Sequence, residues 1–203
     1  MTSTLTALAI SCTLKPSPAE SSSDLLARQL LDALSAHDVS GELIRAVDLD
    51  LRPGVEGDMG DGDQWPDVRR RVREADILVF VTPTWMGQHS SVAQRVLERL
   101  DAELSETDDQ GRPILFDRVA IAGVLGNEDG AHHISAILFQ ALNDVGYTIP
   151  AQTSVYWNGE AMQTVDYKDL DETPEKVAEA IQTAARNAAH LARQLKAQPY
   201  PAG

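Results

Sequence analysis

Short apolar runs alternate with longer amphipathic stretches along this 203-residue chain. A strand that is buried on both faces, as in a parallel sheet, shows as a nearly continuous apolar run. Such runs predict strands over residues 5–12, 42–49, 77–81 and 119–125, and a fifth strand within residues 148–156. Apolar residues at helical spacing predict helices over residues 23–36, 91–104, 132–145 and 174–196.

Turn residues mark the ends of these elements. Serines before the first helix provide an N-cap, Gly146 ends the third helix, and Pro174 opens the last one. Strands alternating with helices favour an α/β doubly wound fold, here a five-stranded parallel sheet with helices on both faces. The Gly- and Asp-rich residues 50–66 are predicted to form a surface loop, and residues 198–203 a frayed, disordered tail. We therefore predict a single domain over residues 1–203.

Charge and cysteine content narrow the class of protein. Seventeen Lys and Arg against 31 Asp and Glu give a net charge of −14, which argues against nucleic-acid partners and anionic membranes. No stretch approaches the ~20 apolar residues of a membrane span, and the first residues lack a basic signal region. We therefore expect a cytoplasmic protein without a membrane partner. Cys12 is the single cysteine, which excludes an internal disulfide and predicts a core thiol.

The loop after the first predicted strand is rich in hydroxyl groups. In an open α/β sheet, ligands bind beyond the carboxyl ends of the strands. Residues 11–24 read SCTLKPSPAESSSD and precede a helix, so hydroxyls, free N–H groups and the helix dipole favour an anion such as phosphate. The alternative is a loop that merely caps the helix. The loop lacks GxxxxGK[ST] and GxGxxG, so neither a P-loop nor a dinucleotide fingerprint is present.

The stretch TPTWMGQHSS follows the third predicted strand. Trp85 beside Met86 offers an apolar, polarisable wall for a planar ring. The alternative is that Trp85 only caps the core.

The stretch GNEDGAHH follows the fourth predicted strand. Its glycines permit close backbone approach, and its polar side chains can hydrogen-bond a heterocycle. His132 and His133 diverge by about 100° on a helix, so they do not share one metal ion, and they can equally be a polar helix start. Asp58, Asp61 and Asp63 lack the EF-hand spacing, so we expect them to be solvated.

Together the three loops, in this order and with LERLD following the second, resemble the flavodoxin-fold NAD(P)H-dependent FMN reductases, especially the quinone reductases of that superfamily. The resemblance spans roughly residues 4–157. It implies non-covalently bound FMN, with NAD(P)H as co-substrate and a quinone or flavin as the small-molecule acceptor. The flavin would carry the chemistry, so no catalytic dyad is expected.

The resemblance also assigns site residues. It implies that the FMN phosphate is held by Ser11, Thr13, Ser21, Ser22 and Ser23. It implies that the isoalloxazine is lined by Pro83, Thr84, Trp85, Met86, Gly87 and Gln88. The ring and ribityl chain would be flanked by Asn127, Glu128, Asp129 and Gly130, and His133 would face the flavin, where it and Trp85 shape the substrate face. The first loop is longer than in the relatives and contains prolines, and the third is acidic.

Two other functions share this fold. An electron-carrying flavodoxin that docks to basic redox partners also suits the acidic charge and a ring-flanking tryptophan. A signalling receiver needs aspartates where this chain has SCT and TPT, so we set it aside. The resemblance further implies a homo-oligomer, a dimer or tetramer, with Tyr156 or Trp157 as contacts.

Overall fold

The structure, a computed structural model, describes residues 4–202. Its main sheet contains five parallel strands, β1 (Leu5–Ser11), β2 (Val39–Arg45), β3 (Ile77–Trp85), β5 (Val119–Gly126) and β6 (Ser154–Asn158). Their order is β2-β1-β3-β5-β6, and a two-residue strand, β4 (Gln88–His89), pairs antiparallel with β3. The predicted fold class, a flavodoxin-like parallel sheet, is confirmed.

Five helices cover the two faces of the sheet: α1 (Ser22–Ser35), α2 (Trp65–Glu74), α3 (Ser91–Leu100), α4 (Ala131–Asp144) and α5 (Glu175–Ala197). Helices α1 and α5 share one apolar core with the sheet, and α2, α3 and α4 share the other. Side chains alternate between these cores along each strand, so β3 sends Val79 to the first and Phe80 to the second. This two-sided burial explains why the strands were visible as apolar runs.

The structure corrects the prediction for residues 50–66. Trp65 and Pro66 begin α2 rather than ending a surface loop, and Trp65 is fully buried. Asp63 is not solvated as predicted, because its side chain is fully buried and its Oδ2 lies 2.8 Å from an Nη2 of the equally buried Arg99. The Arg99 guanidinium also lies 5.5 Å from the Trp65 ring, so the loop folds onto the second core.

Smaller differences concern element ends. Strand β2 begins three residues before the predicted start and stops at Arg45, because residues 46–48 form a 3₁₀ turn. The helix predicted over residues 91–104 is α-helical only to Leu100, and a 3₁₀ turn follows.

Cys12 is fully buried directly after β1, as predicted for a core thiol. At the C-terminal end, Arg112 donates to the Tyr200 carbonyl and the Tyr200 ring packs on Phe116. The predicted disorder of residues 198–203 stays a prediction.

Candidate functional site

A cavity of about 200 Å³ opens at the carboxyl edge of the sheet, on the face covered by α1 and α5. Four segments wall it: the β1–α1 loop, the β3–β4 hairpin, the β5–α4 loop and the β6–α5 segment. The lining residues are Thr13, Leu14, Lys15, Ser21, Ser22, Ser23, Pro83, Thr84, Trp85, Leu125, Gly126, Asn127, Glu128, Trp157, Asp166 and Tyr167. The topology of parallel strands thus brings together the loops that the sequence singled out.

Hydroxyl groups surround the N-terminus of α1. Ser21 is the N-cap of this helix, and its Oγ accepts from the Asp24 N–H at 3.4 Å. The Oγ1 of Thr13 accepts from the Lys15 N–H at 3.2 Å, and the Oγ of Ser22 accepts from the Lys168 N–H at 3.2 Å. Because each oxygen accepts a backbone N–H, its own O–H can donate to an anion at this helix terminus.

Ser11 lies behind this wall rather than in it. Its side chain is fully buried, and its hydroxyl donates to Oδ1 of Asp24 at 2.5 Å. The other carboxylate oxygen of Asp24 accepts from Nε of Arg45 at 2.9 Å and from Nη2 at 2.5 Å. Arg45 also donates to the carbonyls of Lys15 and Ala19. The end of β2 therefore clamps the β1–α1 loop through an ion pair in which two Arg45 N–H groups share one oxygen of Asp24.

A second carboxylate secures the same loop. Asp48 accepts from the Ser17 N–H at 2.8 Å and from the Ser17 hydroxyl at 2.5 Å. These two hydrogen bonds lower the pKa of the Asp48 carboxyl below its usual value. The β1–α1 loop is therefore held by two residues near the end of β2, by Arg45 at Lys15 and Ala19 and by Asp48 at Ser17.

The stretch after β3 is a β-hairpin. Strand β3 continues through Trp85, the chain turns at Met86 and Gly87, and β4 returns with Gln88 opposite Trp85. Met86 and Gly87 have φ values of +53° and +71°, and positive φ at both central residues is what a type I′ turn requires. The Trp85 side chain is 53% exposed, so it lies half in the cavity wall and half in solvent.

The β5–α4 loop braces the hairpin. The Glu128 carboxylate accepts from the Met86 N–H at 2.7 Å, and Nε2 of His133 lies 3.2 Å from Oε1 of Gln88. A Cβ on Gly130 would lie 2.8 Å from the Gly87 carbonyl oxygen, so only glycine permits this approach. His132 forms an edge contact with Tyr156 instead.

The structure does not bring every predicted site residue to the cavity wall. Thr13, Ser21, Ser22, Ser23, Pro83, Thr84, Trp85, Asn127 and Glu128 line it. The predicted residues outside the lining are Ser11, Met86, Gly87, Gln88, Asp129, Gly130 and His133. Apart from Ser11, these belong to the hairpin turn and to the loop and helix start beside it.

Sequence reasoning missed the wall formed by the β6–α5 segment. The Trp157 ring packs on Tyr167 with centroids 5.6 Å apart, and both rings line the cavity. The Tyr167 hydroxyl donates to Oε1 of Gln29 at 2.7 Å, and burial raises the pKa of this phenol. Asp166 lies 3.8 Å from Nζ of Lys15 and accepts from Asn127. The Trp-Asn pair at the end of β6, residues 157 and 158, was the available signal in the sequence.

The wall is chemically suited to a flavin mononucleotide. Hydroxyl donors at a helix N-terminus suit a phosphate, and two indoles in the same wall suit a planar ring. Two buried polar atoms of this wall, Oγ1 of Thr84 and Oδ1 of Asn127, have no hydrogen-bond partner within residues 4–202. Polar atoms of this kind are usually paired in folded proteins, so they are consistent with a ligand that supplies polar groups.

Comparison with known proteins supports the same assignment. The family model described as NADPH-dependent FMN reductase matches residues 5–162. The chain is 40% identical over 169 residues to the divalent metal cation transporter MntH of Mycobacterium bovis. That match covers 81% of this chain but only 25% of the transporter, so the chain spans about a quarter of that relative's length.

Two further relatives are similar over nearly the whole chain. It is 30% identical to 8-demethyl-8-aminoriboflavin-5'-phosphate synthase of Streptomyces davaonensis, covering 97% of this chain and 80% of that protein. The crystal structure of RosB with the bound intermediate 8-demethyl-8-formylriboflavin-5'-phosphate is 30% identical, with a TM-score of 0.87 over 97% of this chain and 82% of that one. The resemblance noted in the sequence is confirmed: the chain belongs to the NADPH-dependent FMN reductase family.

Proposed function

We propose that the chain binds FMN in this cavity and transfers hydride from NAD(P)H, through the flavin, to a small quinone- or flavin-like acceptor. The observation that carries the proposal is one cavity whose wall combines hydroxyls at the α1 N-terminus with the indoles of Trp85 and Trp157. When bound, FMN supplies the hydride chemistry, and the protein supplies binding, orientation and electrostatics.

The phosphate end is assigned to the α1 N-terminus. The hydroxyls of Thr13, Ser21 and Ser22 accept backbone N–H groups and keep their own protons for an anion. Lys15, with half of its side chain exposed, is the cation at this wall. The helix dipole favours negative charge at the same place.

The ring end is assigned to the two tryptophans. Trp85 and Trp157 stand on β3 and β6, which flank β5 in the sheet. The buried Thr84 hydroxyl and Asn127 carbonyl oxygen offer polar contacts beside them. No proton-transfer step is assigned to His133, since it lies outside the cavity lining and contacts Gln88.

The wider setting follows from the same proposal. We propose a cytoplasmic, homo-oligomeric protein with small-molecule substrates. Within residues 4–202, no helix combines the length and the apolar character needed to cross a membrane. Tyr156 is the better candidate for a subunit contact, because its side chain is 38% exposed while Trp157 packs into the cavity wall.

The first experiment measures flavin binding and reduction. Purified protein is titrated with FMN while flavin fluorescence is followed, and the complex is then mixed with NADH or NADPH without oxygen. We expect saturable binding and bleaching of the flavin absorbance by the nicotinamide alone, followed by recovery when a quinone is added. Failure to bind FMN contradicts the proposal, and bleaching that needs a separate reductase favours an electron carrier.

The likeness to RosB supports one alternative function, in which the flavin phosphate is the substrate. RosB holds a modified riboflavin phosphate, and the two chains share the fold at a TM-score of 0.87. Mass spectrometry of the flavin recovered after turnover separates the two functions. An unchanged FMN mass supports hydride transfer, and a changed mass supports flavin modification.

A further inference from the structure

The tip of the β3–β4 hairpin has a backbone conformation that its own side chain does not explain. Met86 has φ +53°, a region that residues with a Cβ seldom adopt. Its side chain is 90% exposed, so burial of the thioether does not stabilise the turn. The pairing of β3 with β4 closes the turn on both sides of Met86, and the backbone of Met86 itself makes one further contact.

Glu128 makes that contact. Its Oε1 accepts from the Met86 N–H at 2.7 Å across the gap between the hairpin and the β5–α4 loop. A hydrogen bond from a backbone N–H to an ionised carboxylate is stronger than one between neutral groups. The neighbouring contacts hold other residues of the hairpin, since Gly130 abuts Gly87 and His133 contacts Gln88.

We infer that Glu128 is a positioning residue, which holds the Trp85–Met86 turn in its left-handed conformation and so fixes the Trp85 indole at the cavity wall. Both residues reach the same wall, since Glu128 and Trp85 line the cavity. The inference rests on the proposed function, in which Trp85 contacts a bound flavin. It also means that the Met86 N–H is donated to Glu128 rather than to the cofactor.

The test compares three variants in the full-length protein. Glu128→Ala removes the acceptor, and Glu128→Gln keeps an oxygen acceptor without the charge. Glu172→Ala is the control, because Glu172 is an exposed carboxylate shortly before α5 and is not itself part of the cavity lining. All three change the net charge in the same direction, so an effect of charge alone appears in each.

The first readout does not involve FMN. Amide hydrogen exchange at Met86 is followed by ¹⁵N NMR in the apo protein. We expect exchange to speed up by about tenfold in Glu128→Ala, by less in Glu128→Gln, and to stay unchanged in Glu172→Ala. Unchanged exchange at Met86 in Glu128→Ala would overturn the inference, whatever the protein binds.

The second readout is FMN affinity, measured by flavin fluorescence. We expect the Kd to rise about tenfold in Glu128→Ala and within about threefold in Glu128→Gln, which retains an acceptor. An unchanged Kd in a variant whose Met86 amide exchanges rapidly overturns the positioning role. Absence of FMN binding in the parent contradicts the proposed function instead, and the exchange data still decide the role of Glu128.

Discussion

Trp85→Ala distinguishes whether the hairpin tryptophan contacts a bound ring or only caps the core, and Trp65→Ala is its matched control. Trp65 is fully buried, whereas Trp85 is 53% exposed. Truncating a fully buried tryptophan to alanine costs about 3–5 kcal/mol of unfolding free energy. Because Trp85 buries just under half of its side chain, its truncation should cost only about 2 kcal/mol.

For FMN binding we expect the reverse order, with the larger direct effect in Trp85→Ala. Trp85 lines the cavity, so Trp85→Ala removes an aromatic contact to the ring that we propose binds there. Such a contact contributes about 1–1.5 kcal/mol, which corresponds to roughly a tenfold rise in Kd for FMN. Trp65 lies in the second core and is not part of the cavity lining, so any loss of affinity in Trp65→Ala should follow its loss of stability.

Two assays decide between the interpretations. Urea unfolding of the apo proteins gives the change in stability, read from the shift of the midpoint when the slope m is unchanged. Fluorescence titration gives the Kd for FMN. If Trp85→Ala loses as much stability as Trp65→Ala while its FMN Kd is unchanged, the tryptophan is a core cap. The assignment of the ring site to Trp85 is then refuted.

Three further predictions concern charged and thiol groups. Burial opposes ionisation of Asp63, but hydrogen bonds from Arg99 and nearby backbone N–H groups outweigh it and lower its pKa from 3.8 to about 2. Above pH ~4 the Asp63–Arg99 pair should therefore add about 2 kcal/mol to the free energy of unfolding, and this is lost as the pH falls through 2. Urea unfolding of Asp63→Asn should lack this pH dependence. Burial raises the pKa of the Cys12 thiol, so iodoacetamide at pH 8 should modify it only in urea; rapid labelling of the native protein would contradict this. Arg45→Met should release the β1–α1 loop and weaken FMN binding more than riboflavin binding; equal losses in the two titrations would argue against a phosphate site.

The elements that the sequence did not predict have weak or distant signals. Helix α2 carries six charged residues among its ten, and only Trp65, Val68 and Val72 face the core. Its apolar spacing of three and four residues was present but sparse, so the Gly- and Asp-rich context dominated the interpretation. The hairpin was missed for another reason, since methionine at positive φ is not a turn signal.

The missed wall of the site depends on contacts between distant parts of the chain. Tyr167 reaches Gln29 across 138 positions, and Lys168 reaches Ser22 across 146. Local periodicity carries no information about such pairs, because they form only when the 3₁₀ turn before α5 packs beside α1. In contrast, the loops after β1, β3 and β5 were predictable, since parallel strands place their carboxyl ends at one edge.

The serine-rich loop shows why counting hydroxyls overstates a binding site. What matters is whether each hydroxyl still has a proton to donate once the protein's own hydrogen bonds are formed. Ser11 donates its proton to Asp24, so it serves the loop rather than a ligand. Ser21 and Ser22 accept backbone N–H groups and keep their protons, although in sequence they look the same as Ser11. Which serines keep a proton for a ligand is therefore determined by Asp24 and Arg45, which fix the loop before any anion binds.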